Sequence, residues 1–387
     1  MKLTHFDPAA FLAQHWQQTP LQIRNPWDDW QCPVEPDELA GLACEPEVES
    51  RLVVQTGPEI WALKQGPFDA ERFAVLEGSP WTLLVQAVDH HVPEVAALLS
   101  QFRFVPNWRI DDVMVSFAST GGGVGPHFDQ YDVFLIQGRG RRRWRVGQIC
   151  DEATPLRPHQ ELKLLADFEE KAVYDLGPGD ILYVPPGVAH DGMALDDDCM
   201  TLSIGFRAPS RAELVTGWSD HVLDQLTDDD RYADPGLAAQ DNPGEITAEA
   251  LDRLQAMVLE ALGDREQFAR WFGASNSTPK YPDIDWKPEE PLALGDVRGA
   301  LDEGVPVLRN PASRFSFVRE GEGVVLFVDG ETFECLAEVA DLAADICGAD
   351  EMTVEGATPA MVDLLLALAN MGSIAFAGDE DDCDDEG

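Results

Sequence analysis

A histidine, an aspartate and a second histidine offer the clearest chemistry in this chain. Gly125-Pro126-His127-Phe128-Asp129 sets His127 and Asp129 two residues apart. On a β-strand, residues two apart project from the same face, so both side chains can converge on one ion. His190 stands about sixty residues further on, just past Pro185-Pro186-Gly187, and can supply a third corner from a neighbouring strand. Two neutral imidazoles and one carboxylate on one side of a metal, with the other positions open, form the facial triad of non-haem Fe(II) oxygenases. The open positions matter because a co-substrate and dioxygen must both reach the metal. His-x-Asp alone arises often by chance; the strand-and-turn context, the distal histidine and a nearby basic residue sharpen it. His5, His15, His90, His91, His159 and His221 lack comparable partners and are read as structural.

The basic residue is Arg142, in Arg141-Arg-Arg-Trp-Arg145. Strand alternation sends Arg142 and Trp144 to one face and Arg141, Arg143 and Arg145 to the other. A 2-oxo dicarboxylic acid chelating Fe(II) leaves its far carboxylate inside the barrel, where a bidentate cation makes burial tolerable. Arg142 is placed for that role; the other three read as a basic edge that discourages strand pairing. Ser116, Thr201 and Ser203 are hydroxyl-bearing strand residues that could complete a co-substrate site, although inward hydroxyls are also routinely satisfied by backbone. Gly121-Gly-Gly-Val-Gly125 is not a phosphate loop, since no Lys-Ser/Thr and no helix follow it; it lets the backbone bend beside the metal.

The elements that must hold these residues fall into three regions. Residues 1–208 read as strand-rich, with an early helix capped by Asp7-Pro8 and another over Pro93 to Leu99. Strands are predicted at Trp81–Val88, Asp112–Phe117, Asp132–Ile136, Arg142–Val146, Ala172–Leu176, Asp180–Val184 and Met200–Phe206. The Gly138-Arg-Gly140 and Gly177-Pro-Gly179 turns read as hairpins, and the whole as a jelly roll or barrel. Residues 209–276 switch to helical spacing. Ser210-Arg-Ala-Glu213 fits a capping box ahead of Leu214, Trp218, Val222 and Leu226. Leu251, Leu254, Val258 and Leu262 form a second stripe stopped by Gly263, and Asp264 starts a short third helix with Gly273 past its end. These stripes need a partner surface. Residues 277–378 mix helices with small strands in a winged-helix-like pattern, with Pro306 making its first strand an edge. Residues 379–387 hold seven acids and read as a disordered tail.

Charge narrows the partners. Against 27 Lys and Arg, of which six are Lys, stand 71 Asp and Glu, a formal net charge of −44. Such a field repels phosphate backbones and anionic lipid, so no membrane binding and no direct nucleic-acid binding are expected. The acidity fits a surface adapted to high salt, a docking face for a basic partner, or both. Seven cysteines without a CxxC pair argue for reduced thiols and a cytoplasmic location.

Several stretches together resemble the bacterial JmjC-type ribosomal oxygenases. They are Trp108-Arg-Ile-Asp-Asp112, Gly121 through Phe134, Gly140-Arg-Arg-Arg-Trp144, Pro178-Gly-Asp-Ile-Leu-Tyr183 and Gly205-Phe-Arg-Ala-Pro209. The likeness extends over most of the chain and is narrowest for the members that hydroxylate an arginine of large-subunit ribosomal protein L sixteen. It implies a mainly β fold with α: a double-stranded β-helix (a JmjC/cupin-like jelly roll) over 1–208, a helical dimerisation region over 209–276 and a winged-helix-like domain over 277–378. It further implies Fe(II) as cofactor at His127, Asp129 and His190, and 2-oxoglutarate and dioxygen as co-substrates with Arg142 holding the former. Ser116 matches a further co-substrate position. A homodimer acting on a basic ribosomal protein, with release of succinate and CO2, follows from the same likeness. Two rivals stand beside it: a JmjC hydroxylase of histidine or asparagine, and a non-catalytic metal-binding cupin used for recruitment.

Overall fold

The computed structural model describes residues 1–57, 60–74, 76, 79–159 and 161–378. The acidic tail expected at 379–387 lies outside these residues. Among the described residues eleven strands precede residue 208: β1 (Leu21–Ile23), β2 (Ser50–Gly57), β3 (Ile60–Gln65), β4 (Trp81–Val85), β5 (Ile110–Ala118), β6 (Asp132–Arg139), β7 (Arg142–Ile149), β8 (Ala172–Leu176), β9 (Ile181–Val184), β10 (Val188–Ala194) and β11 (Cys199–Phe206). Eight form one sheet in the order β1-β9-β6-β11-β5-β4-β2-β3, and β10-β7-β8 form a second. Every one of these pairings is antiparallel.

β6 shows how the large sheet uses both faces. Val133 and Leu135 join Trp144, Val146, Leu176 and Leu182 in a core between the two sheets. Phe134 and Ile136, one residue out of phase, turn to the outer face, where Phe134 meets Phe11 and Tyr183 with ring centroids 5.2 and 5.1 Å apart. Four helices cover that face: α1 (Pro8–Gln14), α2 (Pro36–Leu42), α3 (Glu71–Ala74) and α4 (Pro93–Leu99). They contribute Phe11, Leu39, Phe73 and Val95 to its core, and large apolar side chains of this kind stabilise by roughly 1.5–3 kcal/mol each when fully buried. Asp7 caps α1 as its position before Pro8 predicts, accepting the N–H groups of Ala9 and Ala10.

The two glycine turns are not hairpins. β6 pairs with β9 and β11, whereas β7 pairs with β8 and β10, so Gly140 (φ 59°) carries the chain from one sheet to the other. Gly179 (φ 82°) does the same between β8 and β9. A tight turn fixes a reversal of direction, and which strand then comes alongside is settled by the faces that must be buried.

Three helices follow: α5 (Arg211–Leu223), α6 (Ala248–Leu262) and α7 (Arg265–Ser277). Ser210 and Glu213 form the expected capping box on α5. Trp218 on α5 finds its partners within the chain, meeting Phe268 edge-on and Trp271 at a tilt on α7 and donating from its indole N–H to the Leu262 carbonyl. α7 runs through Gly273 instead of stopping there. A Cβ on Gly273 would lie 2.2 Å from the Phe327 ring, so this glycine serves close packing and not a helix end.

The last part contains α8 (Leu294–Asp302), β12 (Val307–Arg309), β13 (Phe315–Glu320), β14 (Gly323–Val328), β15 (Glu331–Cys335), α9 (Glu338–Gly348), β16 (Glu351–Met352), α10 (Pro359–Asn370) and β17 (Ile374–Phe376). Its two small sheets, β16-β12-β17 and β13-β14-β15, share a core with α8, α9 and α10 through Val297, Leu326, Leu342 and Leu365. β12 is central, not an edge, because it begins after Pro306 and the missing N–H falls outside the ladder. Among the described residues no helix is long and apolar enough to cross a membrane, and six cysteines are free thiols.

Candidate metal centre

The segment from Gly121 to His127 runs along β10 like an irregular strand. Gly121 N–H donates to Ala194 O, Ala194 N–H to Gly122 O, His127 N–H to His190 O and His190 N–H to His127 O, all between 2.8 and 3.0 Å. Glycine is needed for this approach: a Cβ on Gly123 would stand 2.2 Å from the Gly192 carbonyl oxygen. Gly125 follows with φ +86°, a left-handed conformation that turns the chain so that His127 faces His190. The glycine run thus bends the backbone beside the site, as its composition predicts.

The result is one cluster. Ligand atoms of His127, Asp129 and His190 all lie within 4.8 Å of one another. The two imidazole centroids are 4.3 Å apart, and His190 Nε2 is 3.5 Å from Asp129 Oδ2. His127 Nδ1 lies 2.9 Å from Gly125 O, and His190 Nδ1 3.0 Å from Val188 O. A carbonyl only accepts, so each Nδ1 is the protonated nitrogen and each Nε2 keeps its lone pair for the centre. Burial, then the neighbouring His127, pushes His190 down to about 4, which keeps that imidazole neutral. Two imidazole nitrogens and a carboxylate on one side, opening into a cleft, fit a divalent metal that keeps free positions.

That cleft, of ≈ 1160 Å³, runs between the sheets and is lined by Ser116, Arg142, Thr201 and Ser203 as well as the triad. Alternation places them as the strand periodicity predicts: Arg142 is 4% exposed and Arg143 turns outward to Asp175. Arg145 likewise pairs outside with Asp191. The Arg142 guanidinium sits 5.6 Å from the Trp144 ring, itself 5.9 Å from His190. Its Nε donates to Cys199 Sγ at 3.3 Å, while its Nη2 is buried with no acceptor. A buried guanidinium with an open donor is the arrangement a carboxylate ligand would complete.

The hydroxyls are less equal. Ser116 and Thr201 face each other across β5 and β11. Ser116 Oγ donates to Thr201 O at 3.4 Å and Thr201 Oγ1 to Gln137 Oε1 at 3.2 Å, so both donors are engaged within the protein. Three residues escape the sequence reading: Thr82, which lines the cleft and whose buried hydroxyl has no partner, and, behind the lining, Cys199, which touches Arg142, and Gln137, which holds Thr201. Cys199 was signalled by its place two residues before Thr201 on the same strand face. Thr82 was signalled by its alternation with Leu83, which joins the outer core. Asp111 and the buried Asp112 also line the cleft, bridged by Lys280 Nζ at 2.9 and 3.0 Å.

Comparison with known proteins agrees with this geometry. The JmjC domain family matches residues 97–214 and the ROXA-like winged helix family matches 258–375. The chain is 40% identical over 375 residues to the ribosomal protein uL16 3-hydroxylase of Escherichia coli, covering 95% of this chain and 97% of that one. It is 35% identical over 281 residues to a probable ribosomal oxygenase of Haemophilus influenzae, covering 69% and 67%. Among solved structures, E. coli YcfD superposes with a TM-score of 0.87 at 36% identity, over 97% of this chain and 100% of that one. A YcfD complex with cobalt and 2-oxoglutarate superposes with a TM-score of 0.85 at 38% identity, over 97% and 99%. A triad, a sandwich and a winged helix in this order, matched along nearly their full length, place the chain in the family of JmjC-type ribosomal oxygenases.

Proposed function

We propose that this chain is an Fe(II)- and 2-oxoglutarate-dependent oxygenase that hydroxylates an arginine side chain of ribosomal protein uL16. The observation that carries the reading is the pairing of the His127/Asp129/His190 cluster with the open Nη2 donor of Arg142 in one cleft. Iron(II) with 2-oxoglutarate and dioxygen supplies the oxidation, releasing succinate and CO2 as one oxygen atom enters a C–H bond. The chain's own residues do the positioning. His127, Asp129 and His190 hold the metal by one side, and the backbone carbonyls of Gly125 and Val188 fix the two ring tautomers. Arg142 binds the far carboxylate of 2-oxoglutarate, with Cys199 and Trp144 holding its guanidinium in place. Trp144, Val133 and Leu135 wall the inner cleft and keep water from it.

Exposed acidic residues lining the cleft, among them Glu49, Glu161 and Glu213, suit a basic peptide and repel acidic ones. A ribosomal-protein substrate supports a cytoplasmic location. The apolar face of α6, where Leu251, Leu254, Val258 and Leu259 are all exposed, supports a homodimer built on the helical region. The test is mass spectrometry of uL16 incubated with the enzyme, Fe(II) and 2-oxoglutarate. A gain of one oxygen on arginine, absent with Asp129→Ala, is expected. Modification of a histidine or asparagine instead, or metal binding without succinate formation, would overturn the assignment.

A further inference from the structure

The sandwich and the C-terminal part enclose a second cavity, of ≈ 280 Å³, whose lining runs against the charge of the molecule. Four arginines face it: Arg103 past α4, Arg207 just after β11, Arg309 at the end of β12 and Arg314 ahead of β13. In a chain of net charge −44 this concentration is anomalous. Two of the four are neutralised. Arg314 Nη2 donates to Asp111 at 2.8 Å, and Arg103 is paired with Asp350. Among the described residues, no ion pair within 4.0 Å is made by Arg207 or Arg309.

Carbonyls occupy only part of these two side chains. Arg207 Nη1 donates to Asn276 O at 2.7 Å, and Arg309 Nη1 to Cys347 O at 3.2 Å and Ile346 O at 3.5 Å, at the end of α9. The Nε atoms of both are buried and have no acceptor. Arg309 also lies over the Phe315 ring at 4.5 Å, which holds its plane fixed. Burial, then Arg314, pulls Arg207 down to about 10; burial, then Arg103, pulls Arg309 down. Asp89, the third carboxyl in the lining, is pushed up to about 8 by burial and by Asp112, so it adds little negative charge at neutral pH.

We infer that this cavity is a binding site for a small phosphoryl dianion, gripped by Arg207 and Arg309 with Arg103 and Arg314 around it. Buried guanidinium groups with unused donors are costly unless an anion completes them, and their forked geometry suits phosphate. A volume of this size admits a phosphate or a small phosphate monoester, and the surrounding acidic surface would repel a polyanion. The site adjoins the catalytic cleft: Asp111, Arg207 and Asn276 line both, and Asp111 is paired with Arg314 on one side and, through Lys280, with Asp112 on the other.

Calorimetric titration of the full-length, metal-free chain in chloride buffer tests the proposal, with inorganic phosphate and 5′-AMP as separate probes. At least one should saturate a single site below ~1 mM. Arg207→Gln and Arg309→Gln should each weaken that binding by about tenfold or more, while Arg142→Ala, in the other cleft, leaves it intact. Tighter binding of AMP than of phosphate would identify a monoester; the reverse would identify free phosphate. If Arg309→Gln does not fold, Arg207→Gln alone decides, read also as loss of the rise in melting temperature that phosphate gives the wild type. No saturation by either probe up to ~10 mM would overturn the site, as would binding that survives both substitutions or disappears with Arg142→Ala.

Discussion

A guanidinium held at 4% exposure with an open donor is costly unless a ligand completes it, so Arg142 should act on co-substrate affinity and not on metal affinity. Arg142→Ala is expected to raise the apparent KM for 2-oxoglutarate roughly ten- to hundred-fold, the equivalent of about 1.5–3 kcal/mol for hydrogen bonds to a charged group, with the Fe(II) requirement nearly unchanged. Arg142→Lys should recover only part, lacking the fork. A larger effect from Arg143→Ala would contradict the strand register. Asp89 carries a second prediction at this scale. Its Oδ1 accepts the Val113 N–H at 2.7 Å, its other oxygen is 3.9 Å from His90, and Asp112 and Lys280 lie nearby. Unfolded, it ionises near pH 4, about its ordinary value; folded, burial and then Asp112 hold it protonated up to about 8. Between those values the unfolded chain binds fewer protons, so the stability Asp89 contributes is full below about pH 4 and is lost as pH rises toward 8. Asp89→Asn keeps the acceptor and cannot ionise. Its melting temperature at pH 8 should exceed that of the wild type by about 2 °C or more, with a smaller gap at pH 5. Equal pH slopes in the two proteins would reject this account. Residues that a short local pattern singles out, such as His127 and Asp129 two apart and Arg142 on β7, could be read from the sequence, although the structure places His127 at an isolated bridge to His190 and Asp129 outside any strand. Asp89 and Lys280 could not, because their neighbours come from distant segments.

Elements transmit those placements, and the β10 side of the centre shows how little slack there is. Gly123 and Gly192 bring two backbones together, and a Cβ on Gly192 would stand 2.6 Å from the Trp144 ring. Gly123→Ala forces the His127 segment off β10, and an overpacked contact of this kind costs about 1–3 kcal/mol. Both a lowered melting temperature and lost turnover are expected. Gly177→Ala, with nothing within 4 Å of the new methyl group, should be close to neutral in both assays. Wild-type turnover in Gly123→Ala would mean that the triad tolerates movement of its own strand. At this scale the sequence was legible where a signal is local. The Ser210 capping box, the Asp7 cap and the Pro93–Leu99 helix stand where propensity and caps put them. The partners of strands were not legible: Gly140 and Gly179 announce turns, but the crossing between sheets follows from burying β6 on both faces. Gly273 misled for the same reason, since its neighbour Phe327 is 54 positions away in the chain.

For the molecule as a whole, charge and apolar surface pull against each other. α6 has no buried residue in the protomer and exposes Leu251 at 53%, Val258 at 57% and Leu259 at 63%. By contrast, α5 buries Trp218 and Val222 within the chain, against Phe268 and Trp271 of α7. Two copies joined along α6 would carry twice −44, or −88. Repulsion between them opposes association, and at ~0.1 M salt it is screened beyond about 10 Å. Sedimentation should therefore show a homodimer that tightens as salt rises from tens of millimolar toward molar, with a melting temperature that rises alongside. Leu254→Asp should shift the chain to monomer without unfolding it. Encounter with a basic ribosomal protein should follow the opposite course, because salt removes the attraction that steers it. Activity at limiting substrate is then expected to fall over the same salt range in which the dimer strengthens. Dimerisation that weakens with salt would mean the interface is held by ion pairs, and a monomer at every salt concentration would leave the α6 stripe without the partner that its composition requires.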